Sequence, residues 1–373
     1  MASEHKDLIS NPYHNHTHRQ MFAQLPFEIV DHIVEYLDFE DIRTIARVCS
    51  VFRLPAQLRL FRTILIRSNA RQPYSYHTQS ILSCPHLLQY TSRLMVHCLD
   101  HGRQISFHSL WPRLPMMYHL SSIDICLDPC GCSSALSALE SLGLEREIAL
   151  ILSGGLAANI PISDTPLPVH SLELYVDASN HHVATRLVQK CSQSLRKLTL
   201  IPKNNIIPSL PFLSHLCEFS VLPSHSILGN CQDLVSWFPF LYQHPTITCI
   251  TLGYHFTLAV QPPPNLLPNL QFLDATPTII ELLIPGRPVD NIQAMYFLRA
   301  VDRFPVDIML RSLRQPSVSL TTLAITTNVH LPNDVLTNII QALPKLRKFT
   351  LDWNCYEVRR LFEGQKEFRI DWK

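Results

Sequence analysis

The chain has 373 residues, which is more than one ordinary core holds and allows two or three domains. Apolar residues make up 46% of the chain and charged residues 16%, so most of the chain can bury enough surface to fold. Lys and Arg total 31 against 30 Asp and Glu, and this balance argues against nucleic acid or an anionic membrane as a partner.

The first segment, residues 1–21, is polar, rich in histidine and without periodicity, and we expect it to be a disordered leader. Imidazoles at His14, His16 and His18 are of a type that binds metals. No cysteine or carboxylate cluster accompanies them, so a solvated leader is the favoured interpretation.

The lack of a recognisable secretory or membrane signal predicts a protein of the cytosol, the nucleus or both. No apolar run near the start has the form of a signal peptide, and no stretch approaches the roughly 18 apolar residues that cross a bilayer. The 11 cysteines are odd in number and scattered, which favours reduced thiols over a disulfide framework.

The first periodic segment predicts two or three short helices within residues 22–66. Leu25-Pro26 opens a stripe that continues through Ile29, Ile33 and Leu37 at helical spacing. A second apolar set follows the charged residues 38–41, and Pro55 marks a break. A unit this small buries little by itself and usually needs a neighbour or a partner.

These residues resemble an F-box. The matching positions are Leu25-Pro26, Glu28-Ile29, Ile33, Leu37, Asp41-Ile42, Val48-Cys49, Phe52 and Leu60-Phe61. The resemblance implies docking to a Skp-family adaptor, and through it to a cullin, with the helix-in-groove mode of recognition. The residues expected to serve the adaptor are Leu25, Pro26, Ile29, Ile33, Leu37, Ile42, Val48 and Phe52. The alternative is a plain helical hairpin that caps the next domain.

An internal repeat follows, from residue 67 to residue 355. The pattern aliphatic-x-x-aliphatic-x-aliphatic recurs with a mean period of about 25 residues, within the range of leucine-rich repeats. Alternating aliphatic residues predict a short strand in each copy. The middle aliphatic positions are Ile64, just ahead of this range, and then Leu94, Ile123, Leu172, Leu198, Phe219, Ile250, Leu273, Ile292, Leu323 and Phe349.

Helices are predicted between the strands. One is the stripe from Val335 to Leu343, and a second follows Asp233 with Pro239 bending or ending it. The gap between Ile125 and Leu174 holds either a degenerate repeat or a longer helix, and the pattern of Ala135–Leu156 favours the helix. Strand and helix alternating at this spacing predict an α/β fold with a curved parallel sheet. Residues 356–373 form a tail or cap.

The whole arrangement resembles F-box proteins with a leucine-rich-repeat-like domain, as they occur in mushroom-forming fungi. The copies lack the Asn or Cys that is usual at the repeat's turn. The segment Pro285-Gly286-Arg287-Pro288 adds to this resemblance, and its simplest interpretation is a turn before a strand.

Motifs for catalysis or cofactors are not evident. The sequence has no Gly-rich loop ending in Lys-Ser or Lys-Thr, no His-Glu-x-x-His and no Gly-x-Ser-x-Gly. Cys126, Cys130 and Cys132 lie close together with His119 nearby, but their spacing offers no second matched pair for zinc. We therefore expect neither an enzyme, nor a cofactor, nor a metal site.

The sequence predicts a substrate-recognition subunit of an SCF-type ubiquitin ligase, with an unknown target protein bound by the repeats. Strand residues that alternate with the core positions should face the target on the concave side. These are Glu173, Tyr175, Lys197, Thr199, Glu218, Asp274, Lys348, Thr350 and Asp352. The alternative is a repeat scaffold outside ubiquitination, and an enzyme with a spatially assembled site is a more distant one.

Overall fold

The chain packs as two compact units, Met1–Ile123 and Asp124–Lys373, in a computed structural model. The ranges that the structure describes are 25–68, 84–98, 110–126, 129–142, 146–152, 160, 162–203, 209–222, 232–253, 256–258, 260–263, 265–296, 313, 320–327, 333–353 and 367–371. The predicted leader, residues 1–21, and most of the predicted tail lie outside them. No helix within these ranges has the length and hydropathy to cross a membrane.

The first unit begins with three consecutive helices and continues into parallel strands. Strands β1 and β2 pair in register, with Ile64 opposite Leu94. A 3-10 helix at Trp111–Met116 follows β2. The other elements are α1 (Phe27–Glu35), α2 (Phe39–Val48), α3 (Ser50–Leu60), β1 (Thr63–Ser68), α4 (Pro85–Leu88) and β2 (Arg93–Cys98).

Strand β3 (Ser122–Cys126) contains the division between the units, and strands alternate with short helices after it. The next elements are α5 (Pro129–Glu140), β4 (Ile148–Leu152), β5 (Val169–Val176), α6 (His181–Cys191), β6 (Lys197–Pro202), β7 (Glu218–Val221), β8 (Gln232–Asp233), a 3-10 helix (Leu234–Trp237), α7 (Phe238–Gln243) and β9 (Cys249–Leu252). The last are β10 (Phe256–Thr257), β11 (Phe272–Ala275), α8 (Pro277–Leu283), β12 (Asn291–Tyr296), β13 (Thr322–Thr327), α9 (Asn333–Ala342), β14 (Lys348–Trp353) and β15 (Glu367–Asp371).

In the second unit the sheet order from β4 is β4-β5-β6-β7-β9-β11-β12-β13-β14-β15. All described pairings from β4 to β14 are parallel, and β15 adds to β14 in the antiparallel direction. The α/β class and the helical N-terminal segment that the sequence predicted are confirmed.

The predicted repeat positions become neighbours across this sheet. One buried row joins the residues Leu172, Leu198, Phe219, Ile250, Leu273, Ile292, Leu323 and Phe349. Each is at most 2% exposed, and α6 and α8 pack against strands of the same sheet. Because side chains alternate along a strand, this register puts every intervening residue on the other face, which we call the open face.

The strands are joined by a recurring backbone contact. The residue before a strand donates its N–H to the backbone carbonyl oxygen of the residue at or just before the start of the preceding strand, as from Cys217 to Arg196 and from Arg347 to Thr321. Seven such bonds, from β5 to β14, measure 2.8–3.1 Å. The repeated join shows that consecutive strands enter the sheet in the same way, although the segments between them differ in length.

The segment between residues 126 and 169 corrects one prediction. The favoured helix over Ala135–Leu156 is wrong, because α5 ends at Glu140 and residues 148–152 form β4. Ile148, Leu150 and Leu152 are at most 2% exposed and alternate with half-buried residues. A short run that is apolar at every position fits a helix or a buried strand equally well, so periodicity alone did not separate them.

The segment around Arg287 forms the predicted turn, and its chemistry was not predicted. Gly286 has φ of 75°, a left-handed conformation that favours glycine, between α8 and β12. Arg287 is 2% exposed, and its guanidinium donates to the carbonyl oxygens of Leu266 at 2.7 Å, Leu283 at 2.6 Å, Pro285 and Pro263. A buried arginine therefore ties the end of α8 to the preceding loop.

Candidate adaptor and target surfaces

The N-terminal helices share a small core. Helices α1 and α2 each pack against α3, and the buried side chains of the shared core are Val30, Val34, Ile42, Phe52 and Ala56. Asp38 caps α2, its carboxylate accepting the N–H of Asp41 at 2.8 Å. This core is too small to bury the remaining apolar residues of the three helices.

Exposed apolar side chains are concentrated on these helices. Half of the large apolar residues exposed in the described part of the chain lie between residues 27 and 54. They are Phe27, Ile29, Tyr36, Phe39, Val48 and Leu54, and their exposed fractions run from 45% to 78%. Apolar surface at this density is typical of a segment that a partner covers.

The residues predicted to serve an adaptor fall into three groups by exposure. Pro26, Ile29 and Val48 are exposed, and Leu25, Ile33 and Leu37 are half-buried against the helical core. Ile42 and Phe52 are 5% and 2% exposed, so they lie inside the core and can support a docking surface only from within. The exposed apolar residues Tyr36, Phe39 and Leu54 were not predicted from the sequence, because they lie outside the helical stripe.

On the second unit, the open face carries a lateral row of mostly polar residues. Register places Glu173 beside Thr199, then Ser220, Thr251, Asp274 and Gln293 in successive strands. Ser220 and Thr199 are at most 8% exposed, so the centre of this row is tightly packed. We call these residues the open-face row.

Charges along the open face are close enough to act on one another. Lys197 Nζ lies 2.9 Å from the carboxylate of Glu218 on the neighbouring strand. Burial raises the pKa of Glu173, Asp124 raises it further, and Lys197 lowers it. Burial also raises the pKa of Tyr175, with added repulsion from the carboxylates of Glu173 and Asp124.

Asp274 is the residue of the row with an unusual environment. Its side chain is 6% exposed, and Oδ1 has no hydrogen-bond partner among the described residues. Burial raises the pKa of this carboxyl to about 7. A buried carboxylate without a partner costs free energy of folding, because the charge has lost its water without a replacement.

The structure brings most of the predicted target-facing residues onto the open face. Lys197 is exposed, whereas Thr199 and Asp274 are buried. The half-buried ones are Glu173, Tyr175, Glu218, Lys348 and Thr350. The side chain of Asp352 lies outside the described residues. Sequence reasoning missed Asp124, which is 8% exposed, although its place between Ile123 and Ile125 gave the same alternating signal.

The described residues include no group of three His, Cys, Asp or Glu that could hold a metal ion. Burial raises the pKa of the Cys249 thiol to about 11, with Glu218 adding to the increase. Burial likewise raises the pKa of Cys191, which is fully buried. Both thiols are protonated at neutral pH, a state that makes a cysteine a poor nucleophile.

Comparison with known proteins gives one family match. A model described as F-box-like matches residues 22–67. No curated protein matches the chain. The matched range begins just before α1 and ends within β1, so it contains all three helices and their core. Residues 22–67 therefore form an F-box-like domain.

Proposed function

We propose that this protein is the substrate-recognition subunit of an SCF-type cullin–RING ubiquitin ligase. The F-box-like domain suggests such a role in general, since F-box domains bind Skp-type adaptors. The observation that carries the proposal is the concentration of exposed apolar side chains on the matched helices. An adaptor groove that covers Ile29 and Val48 would bury surface that the domain leaves to solvent.

The second part of the proposal is that the sheet is a leucine-rich-repeat-like solenoid whose open face binds a target protein. The recurring backbone join and the continuous buried rows support it, because stacked repeats are held together by nearest neighbours. The open face presents charged and polar side chains to a partner, including Glu173, Lys197 and Glu218. The resemblance to proteins of mushroom-forming fungi stays a prediction.

In this proposal the chain makes and breaks no bond. Binding to an adaptor, and through it to a cullin, brings the target near the conjugating enzyme. Such tethering converts a bimolecular transfer into a nearly unimolecular one. No metal and no cofactor is required, and the protein acts in the cytoplasm, the nucleus or both.

The experiment is copurification of the full chain with a Skp-family adaptor. Replacing Ile29 with Asp should reduce adaptor affinity about 100-fold, because a carboxylate would be buried in an apolar groove. Ile29 is 48% exposed, so the change leaves the core of the domain intact. Leu65→Asp is the matched control, since Leu65 is 44% exposed and lies on β1.

Adaptor binding by the wild-type chain and by Leu65→Asp, with loss in Ile29→Asp, supports the proposal. A folded wild-type chain that binds no Skp-family adaptor would overturn it and favour a repeat scaffold outside ubiquitination. Undiminished binding by Ile29→Asp would show that the exposed helix face is not the docking surface.

A further inference from the structure

The open-face row contains a carboxylate that the fold leaves without a hydrogen-bond partner. Asp274 is 6% exposed, and register places it between Thr251 and Gln293. Its Oδ1 has no hydrogen-bond partner in the described part of the chain. Since buried polar atoms in folded proteins are nearly always paired, an orphaned carboxylate oxygen on a partner-facing surface calls for a functional explanation.

One described cation of this face is already engaged. Lys197 pairs with Glu218 at 2.9 Å, across neighbouring strands β6 and β7. Burial alone accounts for the raised pKa of Asp274, so no charged group among the described residues offsets it. The described residues therefore place no stabilising positive charge beside this carboxylate.

The surroundings of Asp274 are negative as a whole. From β3 to β14 the described side chains of the open face include four carboxylates, Asp124, Glu173, Glu218 and Asp274, against the two ammonium groups of Lys197 and Lys348. Cys249 lies beside Glu218 on the neighbouring strand, and the charges of Glu218, Lys197 and Asp274 all act on the pKa of its thiol. These groups therefore lie in one region of the open face. Such a surface repels a polyanion and attracts a basic segment.

A divalent cation fits this place poorly. Calcium and magnesium need six or more oxygen ligands, and several of these are normally carboxylates or carbonyls. The described residues around Asp274 provide no cluster of three metal-binding side chains. A single cationic nitrogen on a long side chain needs only one carboxylate and can reach a recessed one.

We propose that the open face binds a basic segment of the target protein and that Asp274 receives one lysine or arginine side chain of that segment. The inference rests on the proposed function, because it presumes that the open face is the target-binding side. Glu173 and Asp124 would attract the segment at longer range, and Asp274 would fix its register through a charge-assisted hydrogen bond.

The test is selection of a displayed library of random short peptides on the immobilised full chain. We expect the retained peptides to be enriched in Lys or Arg at one fixed position. Asp274→Asn should lose that preference, and its affinity for the best retained peptide should fall at least about tenfold. The control is Asp164→Asn, which removes the same charge from a side chain that is fully exposed.

Proton release separates a direct contact from a structural effect. A cation next to Asp274 lowers the pKa of the carboxyl, so peptide binding near pH 7 should release a proton to the buffer. Calorimetry in two buffers of different ionisation enthalpy measures this release. We expect it for the wild-type chain and for Asp164→Asn, and not for Asp274→Asn.

Three results would overturn the inference: no peptide retained, retained peptides without basic enrichment, or equal binding and proton release by Asp274→Asn and the wild-type chain. Adaptor copurification, measured on the same samples, keeps this failure apart from failure of the proposed function. A chain that binds the adaptor but shows any of the three results remains an F-box subunit whose target binds by other chemistry.

Discussion

The F-box-like helices and the repeat sheet handle their apolar residues in opposite ways. The core of the three helices holds five buried apolar side chains, and the helices leave Phe27, Ile29, Tyr36, Phe39 and Val48 at least 47% exposed. The sheet buries its aliphatic rows almost completely and leaves polar and charged residues on the open face. The difference supports the proposal that an adaptor covers the apolar surface of the helices and that the sheet selects a target by polar contacts.

The largest expected effect lies in the buried row of the sheet. Leu198 is fully buried, and replacing it with Ala should lower the free energy of unfolding by about 2–5 kcal/mol, through lost burial and a residual cavity. Lys197 is the neighbour of Leu198 on the other face. Replacing Lys197 with Ala should lower the free energy of unfolding by about 1 kcal/mol or less, because its ion pair with Glu218 is exposed. Chemical denaturation compares the two, and equal effects would contradict the assignment of faces.

A second prediction concerns the buried guanidinium. Arg287→Met should lower the free energy of unfolding by about 2–4 kcal/mol, since four buried carbonyl contacts lose a charged donor. Arg287→Lys should recover part of the loss, because an ammonium can satisfy only some of these carbonyls. A melting temperature unchanged by Arg287→Met would show that these contacts do not hold the loop.

A third prediction sharpens the contrast by showing that the open face is not optimised for stability. Burial raises the pKa of Asp274 to about 7 in the folded state, whereas the ordinary pKa of an aspartate is 3.8. Between these two pH values the folded chain keeps a proton on Asp274 that the unfolded chain has released. Stability should therefore fall as pH rises from about 4 to about 7. Asp274→Asn should raise the free energy of unfolding by about 1–3 kcal/mol above pH 7, and the gain should vanish near pH 4.

The measurement for this variant is denaturant unfolding at both ends of that pH window. The groups whose charges act nearby are Lys197, Glu218 and Cys249, and they remain in the variant. Asp164→Asn, which keeps Asp274, should show no such pH-dependent gain over the wild-type chain. A gain for Asp274→Asn that is the same at low and high pH would contradict the assigned titration.

The smallest expected effect is in the interior. His244 is fully buried, with Nε2 accepting the N–H of Leu213 at 2.8 Å and Nδ1 next to the carbonyl of Phe240 at 2.7 Å. Burial lowers its pKa from the ordinary 6.5, so the unfolded chain binds the proton first as pH falls. Stability should therefore decline as pH falls below 6.5.

The matched variant for this effect is His244→Phe, which cannot titrate. Its unfolding free energy should lie below that of the wild-type chain at neutral pH, because Leu213 N–H loses its acceptor. The gap between the two proteins should narrow at lower pH. A difference in unfolding free energy that stays constant with pH would show that a group other than His244 causes the pH dependence.

The sequence predicts the structure of the repeat sheet and that of the F-box-like helices to different extents. The predicted repeat positions pair as expected, Ile64 with Leu94 and then Leu172 through to Phe349, because a two-residue period with a fixed buried row leaves one register. The strand β4 was missed because Ile148–Leu152 is apolar at every position. In the helices the stripe was found, but the burial of Ile42 and Phe52 depends on how α2 and α3 pack.

The burial of Asp274 and the contacts of Arg287 could not be predicted from the sequence, and the reason is the same for both. Whether a carboxylate in a strand is exposed depends on its lateral neighbours, which for Asp274 are Thr251 and Gln293 from distant parts of the chain. The partners of Arg287 are backbone carbonyls, and these carry no residue-specific signal.

The central claim is that two surfaces of the chain bind two different partners. One measurement tests it most directly: affinities of the wild-type chain, Ile29→Asp and Asp274→Asn for a Skp-family adaptor and for the best basic peptide from the selection. We predict that Ile29→Asp loses the adaptor and keeps the peptide, and that Asp274→Asn keeps the adaptor and loses the peptide. Variants that each lose both partners, or neither, would contradict the claim.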